Sequence, residues 1–456
     1  MSVQSKNFEL KEKRISSVAL STLGCKLNFS ETSSIANNLE KNNFKVVPFN
    51  QYADAYIINT CSVTENADNK FKVFVNKALK INPNAFVAAI GCYAQLKPEE
   101  LQSVKGVDLV LGASEKFNIV NYLQNIDQDF SKFDHSCNIN DVDSFIETYS
   151  TNSRTRAFLK VQDGCDYKCS FCTIPLARGK SRSNSIENVV KNVKEIISNG
   201  IKEIVLTGIN LGDFGKRQSD SFVTNEDFLG LIKTLDKIDG VERYRVSSIE
   251  PNLLTDEIIS FISKSNKFVP HFHIPLQSGS DQILKKMRRR YKTDLYESRV
   301  ELIRKLIPNA SIGVDVIVGF PGETDEMFLE TYNFIEKLDV TYLHIFSYSE
   351  RENTKAIELN GVVPKKTRNK RSKLLRLLSA SKKTSFYKNN IGTDYNVLFE
   401  SENKNGLIEG YTENYIRVRK DWNKNLVGQI RKVRIEKVDS EAVSYTHLTL
   451  PTILLV

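Results

Sequence analysis

Gly164-Cys165-Asp166-Tyr167-Lys168-Cys169-Ser170-Phe171-Cys172 directly follows a strand-like run, Ala157-Phe158-Leu159-Lys160-Val161-Gln162. The cysteines are spaced C-x3-C-x2-C. Three thiolates fit a cubane iron–sulfur cluster, whose four irons usually take four ligands. One iron is then left for a small molecule that offers an amine and a carboxylate. The competing reading is a zinc site. Zinc takes four ligands, and no fourth Cys or His lies close after Cys172.

The region around this loop, 155–388, alternates strand and helix patterns. Strands are expected at 158–162, 203–207, 244–247, 271–276, 312–318 and 342–346, with helices such as 186–199 and 295–306 between them. Six βα units are too few for a closed eight-stranded barrel and predict a partial one. Barrel chemistry gathers at the carboxyl ends of the strands, which is where the cysteine loop falls. Loops on the same rim contribute Gly208, Ser248, Glu250 and Gln277 as candidate cofactor contacts. Glu250 and Gln277 could bond an amine or a ribose. Asp315 lies within a strand and could point into the barrel. Capping or turn roles are the alternative for each. His271 and His273 share a strand face, and no other His is close in sequence, so a core or rim role is expected for them rather than metal binding.

The preceding region, 15–126, has strand patterns at 18–23, 55–59, 86–90 and 107–111, separated by helical stretches. This predicts an open parallel α/β sheet. Cys25, Cys61 and Cys92 each sit just past a strand's carboxyl end, where such sheets form their binding crevice. A lone buried Cys after a strand is usually a small apolar residue. Three in equivalent places point to a second metal site, with Gly24 and Gly91 letting backbone approach it closely. Residues 127–154 read as a polar linker in which Cys137 is an incidental thiol.

From 359 to 393 there is no Asp or Glu, while Lys365, Lys366, Arg368, Lys370, Arg371, Lys373 and Arg376 crowd one stretch. This predicts a basic amphipathic helix, docked by Leu374, Leu375, Leu377 and Leu378, that offers cations to phosphate backbone. Residues 389–439 change texture to short strands rich in Val, Ile, Tyr and Phe, which suggests a small β-barrel. Its Tyr411, Tyr415, Arg417 and Arg419 could stack bases and hold phosphates. The apolar end within 440–456 fits neither pattern and is expected to be non-native.

Composition bounds the class. The chain has 456 residues, 40% of them apolar, with a net charge of +9. That permits a polyanionic partner without requiring one. The first 17 residues lack the apolar core of a secretory signal, and no stretch is long and apolar enough to span a bilayer. The cysteines therefore read as metal ligands in a cytoplasmic protein. Oligomeric state is not legible.

Taken together, these parts resemble the radical S-adenosylmethionine methylthiotransferases over nearly the whole chain. The resemblance rests on Leu23-Gly24-Cys25-Lys26-Leu27-Asn28, Asn59-Thr60-Cys61-Ser62-Val63-Thr64, Gly91-Cys92-Tyr93-Ala94-Gln95, and the Cys165 loop continuing through Thr173-Ile174-Pro175. S-adenosylmethionine offers the amine and carboxylate that an open iron needs. The resemblance implies two [4Fe-4S] clusters: an auxiliary one on Cys25, Cys61 and Cys92, and a cofactor-binding one on Cys165, Cys169 and Cys172. It implies a C-terminal TRAM domain, tRNA as substrate, and a flavodoxin- or ferredoxin-like electron donor. The wording around Cys25 and Cys61 is most similar to the bacterial branch that modifies threonylcarbamoyladenosine at tRNA position 37. The alternatives are the branch acting on isopentenyladenosine, the branch acting on a ribosomal protein, a radical enzyme with a small-molecule substrate, and an RNA-binding protein with purely structural clusters.

Overall fold

A computed structural model describes residues 15–61, 65–125, 139, 142, 144–150, 155–216, 225–438 and 443–444. Cys137 and the chain from 445 onward lie outside the described residues. The chain forms two compact units, one comprising 1–142 with Leu176–Gly179, the other Asp143–Pro175 with Lys180–Val456.

The first unit is built on a five-stranded, all-parallel sheet in the order β2-β1-β3-β4-β5, from β1 (Ser17–Thr22), β2 (Lys45–Val47), β3 (Ala55–Thr60), β4 (Phe86–Gly91) and β5 (Leu109–Leu111). β3 and β4 are buried at every position, as expected of strands covered on both faces. Alternate residues serve different cores: Ala55 and Ile57 pack on one face, Tyr56 and Ile58 on the other. The three-residue edge strand β2 escapes the sequence pattern because it is too short to alternate.

In the second unit β6 (Arg156–Lys160), β7 (Glu203–Thr207) and β8 (Arg243–Val246) form one parallel sheet, with β7 central. β9 (His271–Gln277), β10 (Ser311–Val318) and β11 (Tyr342–Ser347) form another, with β10 central. The two are joined by a parallel bridge, Tyr244 to Phe268, and by the Ile249 N–H donating to the His273 carbonyl at 3.1 Å. The result is the six-stranded partial barrel that the six βα units predict. Its largest apolar cluster takes Ile204 and Leu206, Phe272, Ile274 and Leu276, and Val314, Val316 and Val318, together with the helices outside.

The basic stretch is one helix, Lys365–Lys388. Leu375 is buried and Leu378 packs on the barrel core, but Leu374 and Leu377 are exposed, so only two of the four expected leucines dock. After it come β12 (Asp394–Lys404), β13 (Leu407–Tyr411), β14 (Arg417–Asp421), β15 (Ile430–Arg434), β16 (Lys437–Val438) and β17 (Val443–Ser444). They pair in the order β15-β12-β13-β14-β17-β16, antiparallel except between β14 and β17. The expected small barrel thus takes the form of a curled half-barrel with its own core of Val397, Phe399, Ile408, Val418 and Val433.

Candidate active site

The Cys165 loop leaves the carboxyl end of β6 and is fastened from several sides. Gln162 is buried: its amide N–H donates to the Gly164 carbonyl (2.8 Å), and its Oε1 accepts from the Ile209 and Asn210 N–H groups, both at 2.8 Å. Gly208 is glycine for that reason, since a Cβ there would come within 2.9 Å of Gln162 Oε1. Further along, the Ser170 N–H donates to the Met287 carbonyl (3.1 Å) and its hydroxyl to the Lys286 carbonyl (2.8 Å).

Cys165, Cys169 and Cys172 are half-buried. Burial pushes the Cys165 and Cys172 thiols up to about 12 and also raises Cys169, opposed there by Arg289. As free thiols they stay protonated; a metal must displace those protons. Arg289 donates to Cys169 Sγ at 3.1 Å and is ion-paired through its other terminal nitrogen with Glu250. Sequence reasoning missed Arg289 because it sits in a run, Arg288-Arg289-Arg290, that reads as a surface basic cluster.

The mouth of the barrel holds buried polar atoms with no protein partner: Thr207 Oγ1, Asn210 Oδ1, Ser247 Oγ and Ser280 Oγ. All follow or end barrel strands. Leaving such atoms unbonded is costly, so this rim suits a ligand rich in polar groups. Of the expected contacts, Ser248, Glu250 and Gln277 lie on this rim and are half-buried. Gln277 holds a left-handed backbone (φ +66°) where β9 ends, a strained conformation that favours a functional position. Glu250 engages Arg289 through Oε2. Asp315 is not on the rim. It lies within β10, where its Oδ1 accepts from His273 Nε2–H at 2.8 Å.

In the first unit the three cysteines follow β1, β3 and β4. Cys61 and Cys92 are buried and Cys25 is exposed. Gly24 (φ +112°) lies against Cys61: a Cβ there would stand 2.6 Å from Cys61 Cβ and 3.0 Å from its Sγ. Hydrogen bonds tie the three loops. Asn28 Nδ2 donates to the carbonyls of Leu23 and Thr60, both at 3.0 Å. Thr60 Oγ1 donates to the Ile90 carbonyl (2.6 Å) and accepts from the Tyr93 N–H (3.2 Å). Fully buried Glu31 accepts from Arg178 (3.0 and 3.2 Å) and from Lys116 (2.7 Å), while Arg178 also donates to Asn28 Oδ1 at 2.6 Å. Arg178 belongs to the segment Leu176–Gly179 that packs with this unit. No local sequence signal marks it.

Among the described residues, His273, Asp315 and His344 place their ligand-type atoms all within 4.8 Å of one another. Apart from His271, no other His is close to His273 in sequence, but β11 brings His344 beside it in space, with ring centroids 5.3 Å apart.

The expected RNA contacts divide. Lys365, Lys366 and Lys370 are exposed. Arg368 and Arg371 are buried, Arg368 pairing with Glu350 and Arg371 with Glu323 and Asp325, so these two anchor the helix and are not free for phosphate. Tyr411 and Tyr415 stack on each other at 4.8 Å, with Arg156 over Tyr411 (5.0 Å) and Arg245 over Tyr415 (4.9 Å). Arg243 donates to the Tyr411 carbonyl (3.0 Å) and Arg245 to that of Glu413 (3.0 Å). The tyrosines dock the half-barrel onto the amino-terminal end of the barrel strands, which corrects their expected role as base-stacking faces. Arg417 and Arg419 both pair with Glu409. Beneath the docking, buried Glu203 is held by Arg243, Arg245 and Arg156. Burial pushes its carboxyl up, but the three guanidiniums outweigh this and hold it well below the usual carboxylate range.

Comparisons with known proteins agree with this geometry. The radical SAM superfamily model matches residues 159–335, and the model of an uncharacterised family, UPF0004, matches 17–112. The chain is 37% identical over 430 residues to the threonylcarbamoyladenosine tRNA methylthiotransferase MtaB of Bacillus subtilis (strain 168), covering 93% of this chain and 94% of that protein. It is 38% identical to the Aquifex aeolicus protein of the same name, covering 92% of this chain and 100% of that one. A tRNA-2-methylthio-N(6)-dimethylallyladenosine synthase of Clostridium botulinum is 34% identical, with 92% and 94% covered. Among solved structures, the radical S-adenosylmethionine methyltransferase TsrM of Kitasatospora setae aligns with a TM-score of 0.54 at 15% identity over 75% of this chain and 77% of its own, a likeness of fold.

Proposed function

The chain belongs to the family of radical S-adenosylmethionine tRNA methylthiotransferases, and we propose that it adds a methylthio group to C2 of threonylcarbamoyladenosine at position 37 of tRNA. The observation that carries this reading is the Cys165–Cys169–Cys172 loop at the mouth of a partial barrel, together with a second cysteine set on the first unit's sheet.

C2 of adenine bears an unactivated aromatic hydrogen with no acidic proton to remove, so base catalysis has no purchase on it. A reduced cluster with S-adenosylmethionine supplies, when bound, the deoxyadenosyl radical that can take such a hydrogen. Cys165, Cys169 and Cys172 would hold that cluster, and Arg289 would steady it by donating to Cys169. Thr207, Asn210, Ser247, Ser248, Glu250 and Gln277 would orient the amine, carboxylate and ribose of the cofactor at the rim. Cys25, Cys61 and Cys92 would hold a second [4Fe-4S] cluster that carries the sulfur. An external flavodoxin- or ferredoxin-like protein would deliver the electrons, in the cytoplasm. Residues 389–439 are read as a TRAM-like module, and Lys365, Lys366 and Lys370, with Lys373 and Arg376, as the tRNA phosphate contacts.

Mass spectrometry of tRNA nucleosides tests the reading, in a host lacking its own threonylcarbamoyladenosine methylthiotransferase. Expression should yield 2-methylthio-threonylcarbamoyladenosine, and Cys165→Ala should abolish it. Appearance of the isopentenyl product alone would retain the chemistry and overturn the substrate.

A further inference from the structure

One polar set inside the barrel has no role in the reactions above. On β9, β10 and β11 the residues Ile274, Leu276, Val314, Val316, Leu343 and Ile345 pack under the helices. Side chains alternate along a strand, so His273, Asp315 and His344 share the opposite, concave face. The parallel register sets Asp315 directly across from His344. His273 donates to Asp315, and the three ligand-type atoms lie within 4.8 Å of one another. The set is reachable: His273 and Asp315 keep 16% and 23% of their side-chain surface, and His344 is exposed. Below it the face is closed. Tyr342 lies over Gly313, whose missing side chain makes room for the ring, and is hydrogen-bonded to His271 at 2.9 Å. Asp315 is three residues before the end of its strand, about 10 Å beneath the mouth that carries the Cys165 loop.

We propose that His273, Asp315 and His344 recognise the threonyl arm of the substrate: an N–H of His344 donates to its carboxylate, His273 in its protonated form donates to it through the nitrogen not bonded to Asp315, and Asp315 accepts from its hydroxyl. This rests on the functional reading above, because the threonylcarbamoyl group supplies the anion and the hydroxyl. Two donors and one acceptor match one carboxylate and one hydroxyl. An imidazole can also take up a proton when an anion arrives beside it. An isopentenyl arm has no polar atom, and seating it here would strip water from three polar groups without replacing their bonds. Sites built to hydrogen-bond a substrate reject analogues that lack the partner group. Two histidines and a carboxylate also suit a divalent cation, and the test below separates the two occupants.

The test uses full-length protein with its clusters reconstituted, and anticodon stem–loop RNAs carrying either threonylcarbamoyladenosine or the analogue whose threonine carboxylate is an amide. Binding is read by fluorescence anisotropy without turnover, and KM and kcat are measured separately. Wild-type protein should prefer the acid by about tenfold, the value of one charge-assisted hydrogen bond. His344→Phe and His273→Phe should each bring that preference close to one, with the change in KM rather than kcat. Iron and sulfide content checks that each variant is folded. Variants that keep the wild-type preference would overturn the proposal. So would a stoichiometric zinc ion in wild-type protein that His344→Phe loses. Wild-type protein that modifies only isopentenyladenosine RNA would overturn the functional reading itself, and this site with it.

Discussion

The two cysteine sets are assembled by opposite routes. In the second unit one nine-residue stretch, Gly164 to Cys172, carries all three thiols, and the barrel has only to hold that loop at its mouth. In the first unit Cys25, Cys61 and Cys92 are spread over nearly seventy residues, and only the parallel pairing of β1, β3 and β4 brings their loops together. A local set depends on spacing. A dispersed set depends on the sheet, on Asn28 and Thr60, and on glycines whose backbone no other residue adopts easily. The first kind is visible as a motif. The second becomes visible only when strand ends are counted.

The sharpest way to break this comparison is to unload the sets one at a time. Cys165→Ala should end formation of 5′-deoxyadenosine and of methylthio product alike. Cys92→Ala should end methylthiolation yet leave cleavage of S-adenosylmethionine measurable. Equal loss of both activities in Cys92→Ala would show that the sets are not functionally separable.

Next in size is Arg178→Met. It removes a partner from a buried carboxylate and should cost about 3 kcal/mol of stability. Although Arg178 is six residues from Cys172, it contacts Glu31 and Asn28. Iron should therefore fall at the dispersed set while the Cys165 set stays loaded, as Mössbauer spectra of the variant would report.

Gly24→Ala should cost about 1–3 kcal/mol, because a side chain is forced into a left-handed backbone against Cys61. Thermal unfolding followed with iron release reads it. At the local set, Arg289→Gln removes a donor to Cys169 and should weaken cluster retention by about 10–100-fold, read by chelator challenge.

Loading of the Cys165 loop should also depend on pH. Burial raises the Cys165, Cys169 and Cys172 thiols, so binding releases protons. Retention at this loop should strengthen as pH rises from 6 toward 9 and weaken as it falls, by about one decade per unit for each proton released. A flat profile in an iron-exchange titration would contradict the thiol environment described here.

Much of the fold could be read in advance. The strand at Glu203–Thr207 matches the expected range residue for residue, because alternation and turn residues bound it clearly. The C-terminal aromatics were misread for a physical reason. A strand of Tyr and Arg looks the same whether its face meets bases or another protein surface, and here Arg156, Arg243 and Arg245 on the barrel strands take it. Arg368 and Arg371 show the same limit. A run of cations gives a helix its charge but does not say which of them turn inward to Glu350 and Glu323. His344 stayed unseen because seventy residues separate it from His273, and only the neighbouring of β9, β10 and β11 joins them.

The four residues Leu176–Gly179 carry a consequence for biosynthesis. The first unit's sheet is complete once β5 has left the ribosome, yet Arg178, which pairs with its buried Glu31 beside Lys116, has not then been made. Arg178 arrives after the Cys165 loop has been translated, a delay of some seconds at ~5–20 residues per second. The first unit therefore gains this ion pair only after all three cysteines of the second set have been translated, which ties the two cysteine sets together in time.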